Sequence, residues 1–199
     1  MGEIIFRTSG ATGHSVEERQ EHDYYATDPV AAEWLLKLEP QLDSIWECAC
    51  GGGHLAKVFD EKEKLLIATD LYDYGYSSET CGGEEFDFLK IDTKQFGHYF
   101  GDICTNPPFK SALEFAKKGL ELLTDGRYLC LFLKIQFLEG KERKKFFEEN
   151  PPKRIWVTSS RIKCAKNGVF DNYDSSVAAY AWFVWKKGYK GDTVVKWFN

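Results

Sequence analysis

The sequence predicts an α/β fold: a doubly wound, mostly parallel, Rossmann-like sheet of seven strands with an antiparallel hairpin at one edge. Short apolar runs typical of strands alternate along the chain with segments of helical periodicity. The run RYLCLFLK at 127–134 is apolar on both faces, which is typical of a strand covered by helices on both sides. No clear helical pattern separates the last two predicted strands, so we expect them to pair in antiparallel fashion.

The first half of the domain contains two predicted helices and three predicted strands. In VAAEWLLKLEP the apolar residues have helical spacing, with Asp28 as the expected N-cap and Pro29 in the first turn. DSIWECA and KLLIATD are predicted strands, and HLAKVFDEK between them is a predicted helix. The third strand, or strand end, is predicted in EFDFLKI at 85–91.

The second half continues the alternation. GDICTN is the fourth predicted strand, and the amphipathic segment SALEFAKKGLELL follows it as a helix. RYLCLFLK is the fifth strand, and a charged helix is predicted in EGKERKKFFEEN. KRIWVTS and SVAAYAWFVWKK are the sixth and seventh strands.

Composition and length predict one globular domain. Of the 199 residues, 43% are hydrophobic and 29% are charged, a profile unlike that of disordered chains. Residues 1–23 are polar and aperiodic, so we expect a flexible N-terminal arm followed by a single domain at 24–199. No apolar run approaches the ~20 residues that a transmembrane helix needs.

The six cysteines show neither the spacing of a disulfide framework nor that of a zinc site. Several lie in apolar runs, where a thiol behaves as a small hydrophobic group. The first residues also lack the pattern of a secretory signal peptide. We therefore expect reduced, mostly buried cysteines, no bound metal and a cytoplasmic location.

The turn after the first predicted strand contains the pattern Gly51-x-Gly53-x-x-Ala56. Such a pattern is typical of a tight turn that brings the backbone close to a ligand at a helix start. Asp70 ends the next strand, 19 residues after Gly51, where a carboxylate can accept hydrogen bonds from ribose hydroxyls. The pattern predicts a cofactor that contains adenosine, and NAD fits it as well as S-adenosylmethionine (SAM).

Two further acidic residues favour SAM. Glu47 precedes the glycine turn, where a buried carboxylate is unfavourable beside a pyrophosphate and favourable beside a sulfonium or an ammonium group. Asp87 is expected to end the third predicted strand, with Phe88 after it, where its carboxylate can accept from an adenine amino group while the ring of Phe88 stacks on the base.

The segment DICTNPPFKS ends a predicted strand in an unusual way. Pro107 and Pro108 lack a backbone donor and have fixed φ angles, and the residue before a proline is held extended. Asn106 therefore stands on a stiff stem at the strand end, with the ring of Phe109 three residues later. We interpret this arrangement as a polar group aimed at a ligand; the alternative is a tight loop without chemistry.

Together these motifs resemble those of the SAM-dependent amino methyltransferases that act on DNA adenine. ECACGGGHL resembles the glycine motif of the family, NPPF matches its catalytic motif, and Asp70 and Asp87-Phe88 match its acidic strand ends. YYATDP stands where the family has an N-terminal cofactor motif. The stretch from LKIQFLEGKERKKFF through AYAWFVW resembles the compact phage-encoded branch, and the family resemblance covers roughly residues 24–186.

The resemblance implies a class I SAM methyltransferase fold and methyl transfer to the N6 amino group of an adenine flipped out of double-stranded DNA. The implied catalytic residues are Asn106 and Pro107, whose side-chain and backbone oxygens accept the two amino hydrogens, and Phe109, which stacks on the base. The implied cofactor-binding residues are Tyr25, Thr27, Asp28, Glu47, Cys48, Ala49, Cys50, Gly51, Gly53, Asp70, Leu71, Asp87, Phe88 and Asn106.

On the substrate side, the implied residues are Pro108, Phe109, Arg161, Lys163, Lys166 and Phe170. The family places a second aromatic residue between the last two strands; Phe170 and Tyr173 are candidates, and we favour Phe170. The basic residues are expected at backbone phosphates. The stretch 134–166 contains ten Lys or Arg and four Glu, in a chain of net charge -5, although these charges also suit a solvated helix face.

Typical members of the family carry a large target-recognition domain, and this chain has no segment that matches one. Any sequence specificity is therefore expected from loops such as 71–86 and 159–176. Other functions remain compatible with the motifs: methylation of RNA or of a protein glutamine amide, a catalytically silent SAM-binding scaffold, or an NAD-dependent oxidoreductase. His54 is expected to pack against or cap the helix that it begins.

Overall fold

The protein, a computed structural model, is described for residues 25–78, 83–166 and 178–199. The strands in this part of the chain are β1 (Tyr25–Thr27), β2 (Ile45–Glu47), β3 (Leu65–Asp70), β4 (Gly83–Glu85), β5 (Ile103–Thr105), β6 (Tyr128–Lys134), β7 (Arg154–Thr158), β8 (Cys164–Lys166), β9 (Tyr180–Lys186) and β10 (Val194–Phe198). The helices are α1 (Val30–Leu38), α2 (His54–Glu61), α3 (Thr93–Phe96), α4 (Ala112–Leu122) and α5 (Lys141–Glu149). Over the same residues, none of these helices has the length and apolar character required to span a bilayer.

The main sheet has the strand order β10-β7-β9-β6-β5-β2-β3-β4. Strands β2 to β6 are parallel to their neighbours among themselves, and β9 is antiparallel to both β6 and β7. The predicted α/β fold with a mostly parallel sheet is therefore confirmed. The antiparallel pairing of the sixth and seventh predicted strands, now β7 and β9, is also confirmed.

The predicted strand count and the edge position of the hairpin are wrong. Within the residues that the structure describes, the main sheet has eight strands, because residues 194–198 form β10, which pairs in parallel with β7 and covers it. Phe198 is buried, and its ring packs against Trp34 at a centroid distance of 5.7 Å. This anchoring explains why a short segment after the last predicted strand extends the sheet, and it leaves the antiparallel pair inside the sheet.

The third strand also begins earlier than predicted. β4 comprises Gly83–Glu85, and a 3-10 helix occupies Phe88–Lys90 where the prediction placed a strand. The carboxylate of Asp87 accepts a hydrogen bond from the Leu89 N–H at 3.1 Å, so an N-cap ends the extended backbone here.

Apolar residues cover both faces of the sheet. In β6, Leu129, Leu131 and Leu133 belong to a core beneath α4 and α5, whereas the alternate residues Cys130 and Phe132 belong to a core beneath α1 and α2. This alternation with apolar side chains on both faces is the doubly wound arrangement that the run at 127–134 predicted.

A second, two-stranded sheet lies apart from the main one. β1 pairs with β8 in antiparallel register, Thr27 opposite Cys164, and the Asp28 N–H donates to the Lys163 carbonyl at 3.0 Å. Asp28 Oδ1 accepts the N–H of Val30 at 3.0 Å, so its side chain caps the start of α1 as predicted. We call this pair of strands the β1–β8 ribbon.

Candidate functional site

Polar side chains collect at one edge of the sheet. β3, β2, β5 and β6 are consecutive neighbours and parallel, so their carboxyl ends meet at this edge. Asp70, Glu47 and Lys134 end β3, β2 and β6, and Asn106 follows the last residue of β5. In open α/β sheets this edge is where ligands bind.

Glu47 is the most buried acid of this edge, with 1% of its surface exposed. Thr105 Oγ1 donates to Glu47 Oε1 at 2.5 Å. Burial raises the pKa of the Glu47 carboxyl to about 8, because desolvation outweighs the hydrogen bonds that favour its charged form; the negative charge of Asp70 acts in the same direction as burial. A nearby cation lowers the pKa of such a carboxyl group, so the group then loses its proton and becomes negatively charged.

Asp70 holds the glycine turn in place. Its Oδ2 accepts the Gly51 N–H at 2.8 Å, and its Oδ1 accepts the Tyr72 N–H at 3.3 Å. Burial raises the pKa of the Asp70 carboxyl, partly offset by these backbone donors. Each carboxylate oxygen can accept more than one hydrogen bond, so a ribose contact at Asp70 stays a prediction.

Gly53 meets two requirements for glycine. Its φ of +78° lies in the left-handed region, and a Cβ built on it would lie 1.9 Å from Tyr76 Cδ2. Tyr76 is buried in a small core with Cys50, Ala56 and Ala68, between the start of α2 and the end of β3. The turn that the sequence pattern predicted thus depends on close packing by the loop after β3.

The NPPF segment follows β5 directly. Asn106 Nδ2 donates to Thr27 Oγ1 at 2.6 Å, a contact that joins the segment to the β1–β8 ribbon. Pro107 is buried and Pro108 is half-buried, and a 3-10 helix begins at Phe109. The structure therefore brings the implied catalytic Asn106 and the implied cofactor residue Thr27 into direct contact.

The ring of Phe109 is 36% exposed, and the Lys134 ammonium lies 5.4 Å from its centroid. This cation–π contact links the ends of β5 and β6. Lys134 was not among the residues implied by the family motifs. The available signal was its position at the end of the predicted strand that comes next in the sequence after NPPF.

Other implied cofactor residues lie at the same edge with different exposure. Tyr25 and Leu71 are exposed, whereas the side chain of Cys48 belongs to the core beneath α4. Ala49 packs against that core, and the Cys50 N–H donates to the Thr69 carbonyl at 3.0 Å. Because the side chains of Cys48 and Cys50 are buried, we expect any cofactor contacts of these two residues to come from their backbone atoms.

Phe88 has a structural role that the motif did not indicate. It is 2% exposed, and its ring packs edge-on against Trp46 at 5.4 Å and stacks on Phe115 at 5.2 Å. Asp87 forms an ion pair with Lys90 at 3.0 Å in addition to its capping bond. Stacking of Phe88 on an adenine stays a prediction, and the ring of Phe86, which is exposed, is the more accessible alternative.

The basic residues fall into two groups. Along α5, Lys144 and Lys145 pair with glutamates one turn later, as on a solvated helix face. Arg161 is exposed and Lys163 is half-buried, and both precede β8. Lys166 ends β8 opposite Tyr25, whereas Phe170 and Tyr173 lie outside the described residues.

His54 begins α2, and burial lowers the pKa of its imidazole, which favours the neutral form. In the described ranges, no group of three or more His, Cys, Asp or Glu side chains is arranged to hold a metal ion. Thr105 was also missing from the sequence-based set, although its position before Asn106 in a buried strand was an available signal.

Comparison with known proteins finds similarity in the overall fold. No protein-family model matches the chain, and no curated protein matches it in sequence. Among solved structures, the methyltransferase subunit of a type I restriction-modification system from Streptococcus thermophilus superposes with a TM-score of 0.63 at 14% identity, covering 89% of this chain and 48% of that subunit. The chain shares the fold of this subunit.

Two further structures support this assignment of the fold. A modification subunit assigned to a type I restriction enzyme of Vibrio vulnificus gives a TM-score of 0.61 at 16% identity, covering 85% of this chain and 45% of that one. A SAM-dependent O-methyltransferase from Thermotoga maritima gives 0.53 at 14% identity, with coverages of 82% and 67%. The chain spans less than half the length of the two restriction-modification subunits.

Proposed function

We propose that the chain transfers a methyl group from SAM to the exocyclic N6 amino group of adenine in DNA, with the target base flipped out of the duplex. The observation that carries the proposal is the place of Asn106. Its amide follows β5 at the ligand-binding edge of a methyltransferase fold, tied to Thr27 and next to Thr105, the partner of Glu47. The NPPF motif, the fold and the hydrogen bonds of Asn106 thus all support this residue as the group that contacts the amino nitrogen.

The residues at this edge fit SAM. A buried carboxyl group with a raised pKa, Glu47, is poised to ionise beside a cation, and SAM carries both a sulfonium and an ammonium group. The Gly51 N–H donates to Asp70 Oδ2 at 2.8 Å, which holds the Asp70 carboxylate beside the glycine turn, where it can accept from a ribose. When bound, SAM would supply the electrophilic methyl group.

The protein's part in the reaction is to orient the nucleophile. The lone pair of an adenine amino group is delocalised into the ring, so the nitrogen attacks poorly while it stays planar. Asn106 Oδ1 and the Pro107 carbonyl accept its two hydrogens and favour a pyramidal nitrogen. Positioning and electrostatic stabilisation of this kind account for much of enzymatic rate enhancement.

Phe109 provides a surface for the base. Its ring is partly exposed at the same edge, and aromatic stacking on a flipped or single-stranded base stabilises it by about 1–3 kcal/mol. A base within a duplex cannot reach this edge, which is why base flipping is part of the proposal. The likeness to two type I restriction-modification subunits supports DNA as the substrate class.

The test is product analysis with methyl-labelled SAM. The protein is incubated with unmethylated double-stranded DNA or with RNA, the nucleic acid is digested to nucleosides, and the labelled nucleoside is identified. We expect label in N6-methyl-2′-deoxyadenosine from DNA and no label from RNA. Label in RNA would show methyl transfer to a different substrate and contradict DNA as the substrate. In a parallel reaction with added protein, label in methylglutamine would have the same meaning. Tight binding of NAD without binding of SAM, measured separately, would overturn the proposal.

A further inference from the structure

The β1–β8 ribbon brings Thr27 against Asn106. Thr27 is 3% exposed, and its hydroxyl oxygen accepts the Asn106 Nδ2–H at 2.6 Å. The family motif implied that this residue binds the cofactor, but its observed polar partner is the amide of the NPPF segment. Because a buried hydrogen bond is costly to leave unmade, this contact holds the amide in one orientation.

A third residue lies beside this hydrogen bond. The side chain of Cys164, opposite Thr27 in the ribbon, is within hydrogen-bonding distance of the side chains of Thr27 and Tyr180. A sulfur in this place can take the hydroxyl hydrogen of Thr27, which leaves the Thr27 oxygen to accept. With Nδ2 on Thr27, the Oδ1 of Asn106 faces the opposite way.

We propose that Thr27, held by Cys164, is a positioning residue that sets the polarity of the Asn106 amide. The chemical meaning rests on the proposed function: an amide rotated by 180° would present N–H donors to an amino group that needs acceptors. The choice between the two rotations is thus made by the ribbon and not by the NPPF segment itself.

The ribbon also connects this choice to the basic loop before β8. The Asp28 N–H donates to the Lys163 carbonyl at 3.0 Å, and the three residues of β1 pair with those of β8. Arg161 and Lys163 are implied in phosphate contacts, so the segment that would meet the substrate backbone also supports Thr27.

The experiment compares Thr27→Val, which keeps the shape and removes the hydroxyl, with Thr27→Ser, which keeps the hydroxyl. We expect Thr27→Val to lower kcat about tenfold, the rate equivalent of one hydrogen bond, with the Kd for SAM and the KM for DNA unchanged. Thr27→Ser should retain most of kcat. Cys164→Ala should also lower kcat, because it removes the sulfur beside the Thr27 hydroxyl.

A second readout does not depend on catalysis. In protein labelled with 15N-asparagine, the side-chain amide signal of Asn106 should shift and exchange faster with water in Thr27→Val than in Thr27→Ser. If Thr27→Val weakens SAM binding and leaves kcat and the amide signal unchanged, Thr27 is a cofactor ligand and the inference is wrong. If the wild-type protein transfers no methyl group, the proposed function fails, and the amide signal still decides the contact.

Discussion

Glu47 shows how a single buried residue links charge to ligand binding. Its carboxyl lies at the carboxyl-end edge of the parallel strands with 1% exposure and a pKa of about 8, so it is mostly protonated at neutral pH. A cation beside it favours the charged form. Under the proposed function, SAM binding beside Glu47 is therefore coupled to the loss of a proton below pH 8.

We predict that the affinity for SAM rises as the pH increases from 6 to 8 and levels off above. The proton that Glu47 must release becomes easier to lose along this range, by up to about tenfold in Kd for each pH unit. Glu47→Gln should bind SAM weakly and with little pH dependence. Isothermal titration calorimetry at several pH values measures both, and a wild-type affinity independent of pH would contradict the account.

The raised pKa of Glu47 can also be tested without a ligand, through the pH dependence of the free energy of unfolding. A folded-state pKa above the unfolded value means that the unfolded chain loses its proton first, so the free energy of unfolding falls as the pH rises from about 4.5 through about 8. Glu47→Gln has no such titration and should gain stability relative to the wild type over this window. Urea denaturation at pH 5 and pH 8 measures the difference.

Lys134 gives a second prediction for a single residue. Its ammonium lies over the Phe109 ring, and a contact of this kind is worth about 0.5–2 kcal/mol. Lys134→Met should raise the KM for DNA about 2- to 30-fold, whereas Lys134→Arg should largely preserve it.

A double-mutant cycle with Phe109→Leu separates this contact from a simple charge effect. If Lys134 acts by holding the ring, its removal should cost little once the ring is gone. Fully additive effects of the two substitutions would show that Lys134 acts independently of Phe109.

Among the elements, the turn into α2 depends on one glycine. Gly53→Ala would strain a residue at φ +78° and place its Cβ against the Tyr76 ring, with costs of roughly 1–2 kcal/mol for the backbone and 1–3 kcal/mol for the overpacking. Gly75 is a matched control, since its φ is +77° and no atom would lie within 4 Å of the added Cβ. Urea denaturation should show a larger loss for Gly53→Ala; equal losses would mean that the ring moves aside freely.

The tie between α1 and β7 is a buried ion pair. Arg154 donates from Nε and Nη2 to the Glu39 carboxylate, which also accepts from Trp156 Nε1 at 2.8 Å and from Gln41. Burial acts to raise the Glu39 pKa, but these donors, Arg154 foremost, more than offset it and hold the pKa below its usual value. This arginine belongs to the basic stretch 134–166 and has a structural role.

We expect Arg154→Met to destabilise the fold by about 3–5 kcal/mol, because it leaves a buried carboxylate without its cation. The pair's contribution is present above pH 4.5 and is lost as the pH falls through the lowered pKa of Glu39. The difference between wild type and Arg154→Met in urea denaturation should therefore shrink at low pH. The double variant Glu39→Gln with Arg154→Met should recover part of the loss, and no recovery would argue against this origin.

For the whole molecule, local sequence patterns predicted most strands of the sheet but not the elements that depend on contacts between distant residues or on a local cap. The apolar run at 127–134 and the glycine turn indicated β6 and the start of α2 because their signals lie within a few residues. β10 was missed because its stability comes from Phe198 against Trp34, a contact far apart in sequence. The third strand was misplaced because the cap made by Asp87 redirects the chain.

The candidate site was predicted to a similar degree. Glu47 and Asp70 end strands and Asn106 follows one, and because parallel strands end at one edge, the sequence indicated that these three residues lie at the same edge. The pairing of Thr27 with Asn106 and of Lys134 with Phe109 could not be read from spacing, since each joins segments that only the folded chain brings together.

The most direct test of the central claim is single-turnover methyl transfer by Asn106→Ala beside the wild type, with SAM binding measured on the same samples. We predict that the rate of transfer to DNA adenine falls by about 10²–10³, as when one stabilising hydrogen-bond group is removed from an active site, while SAM still binds. Asn106→Asp, which keeps an acceptor oxygen, should retain more activity than Asn106→Ala. An unchanged rate in Asn106→Ala would show that the chemistry lies elsewhere.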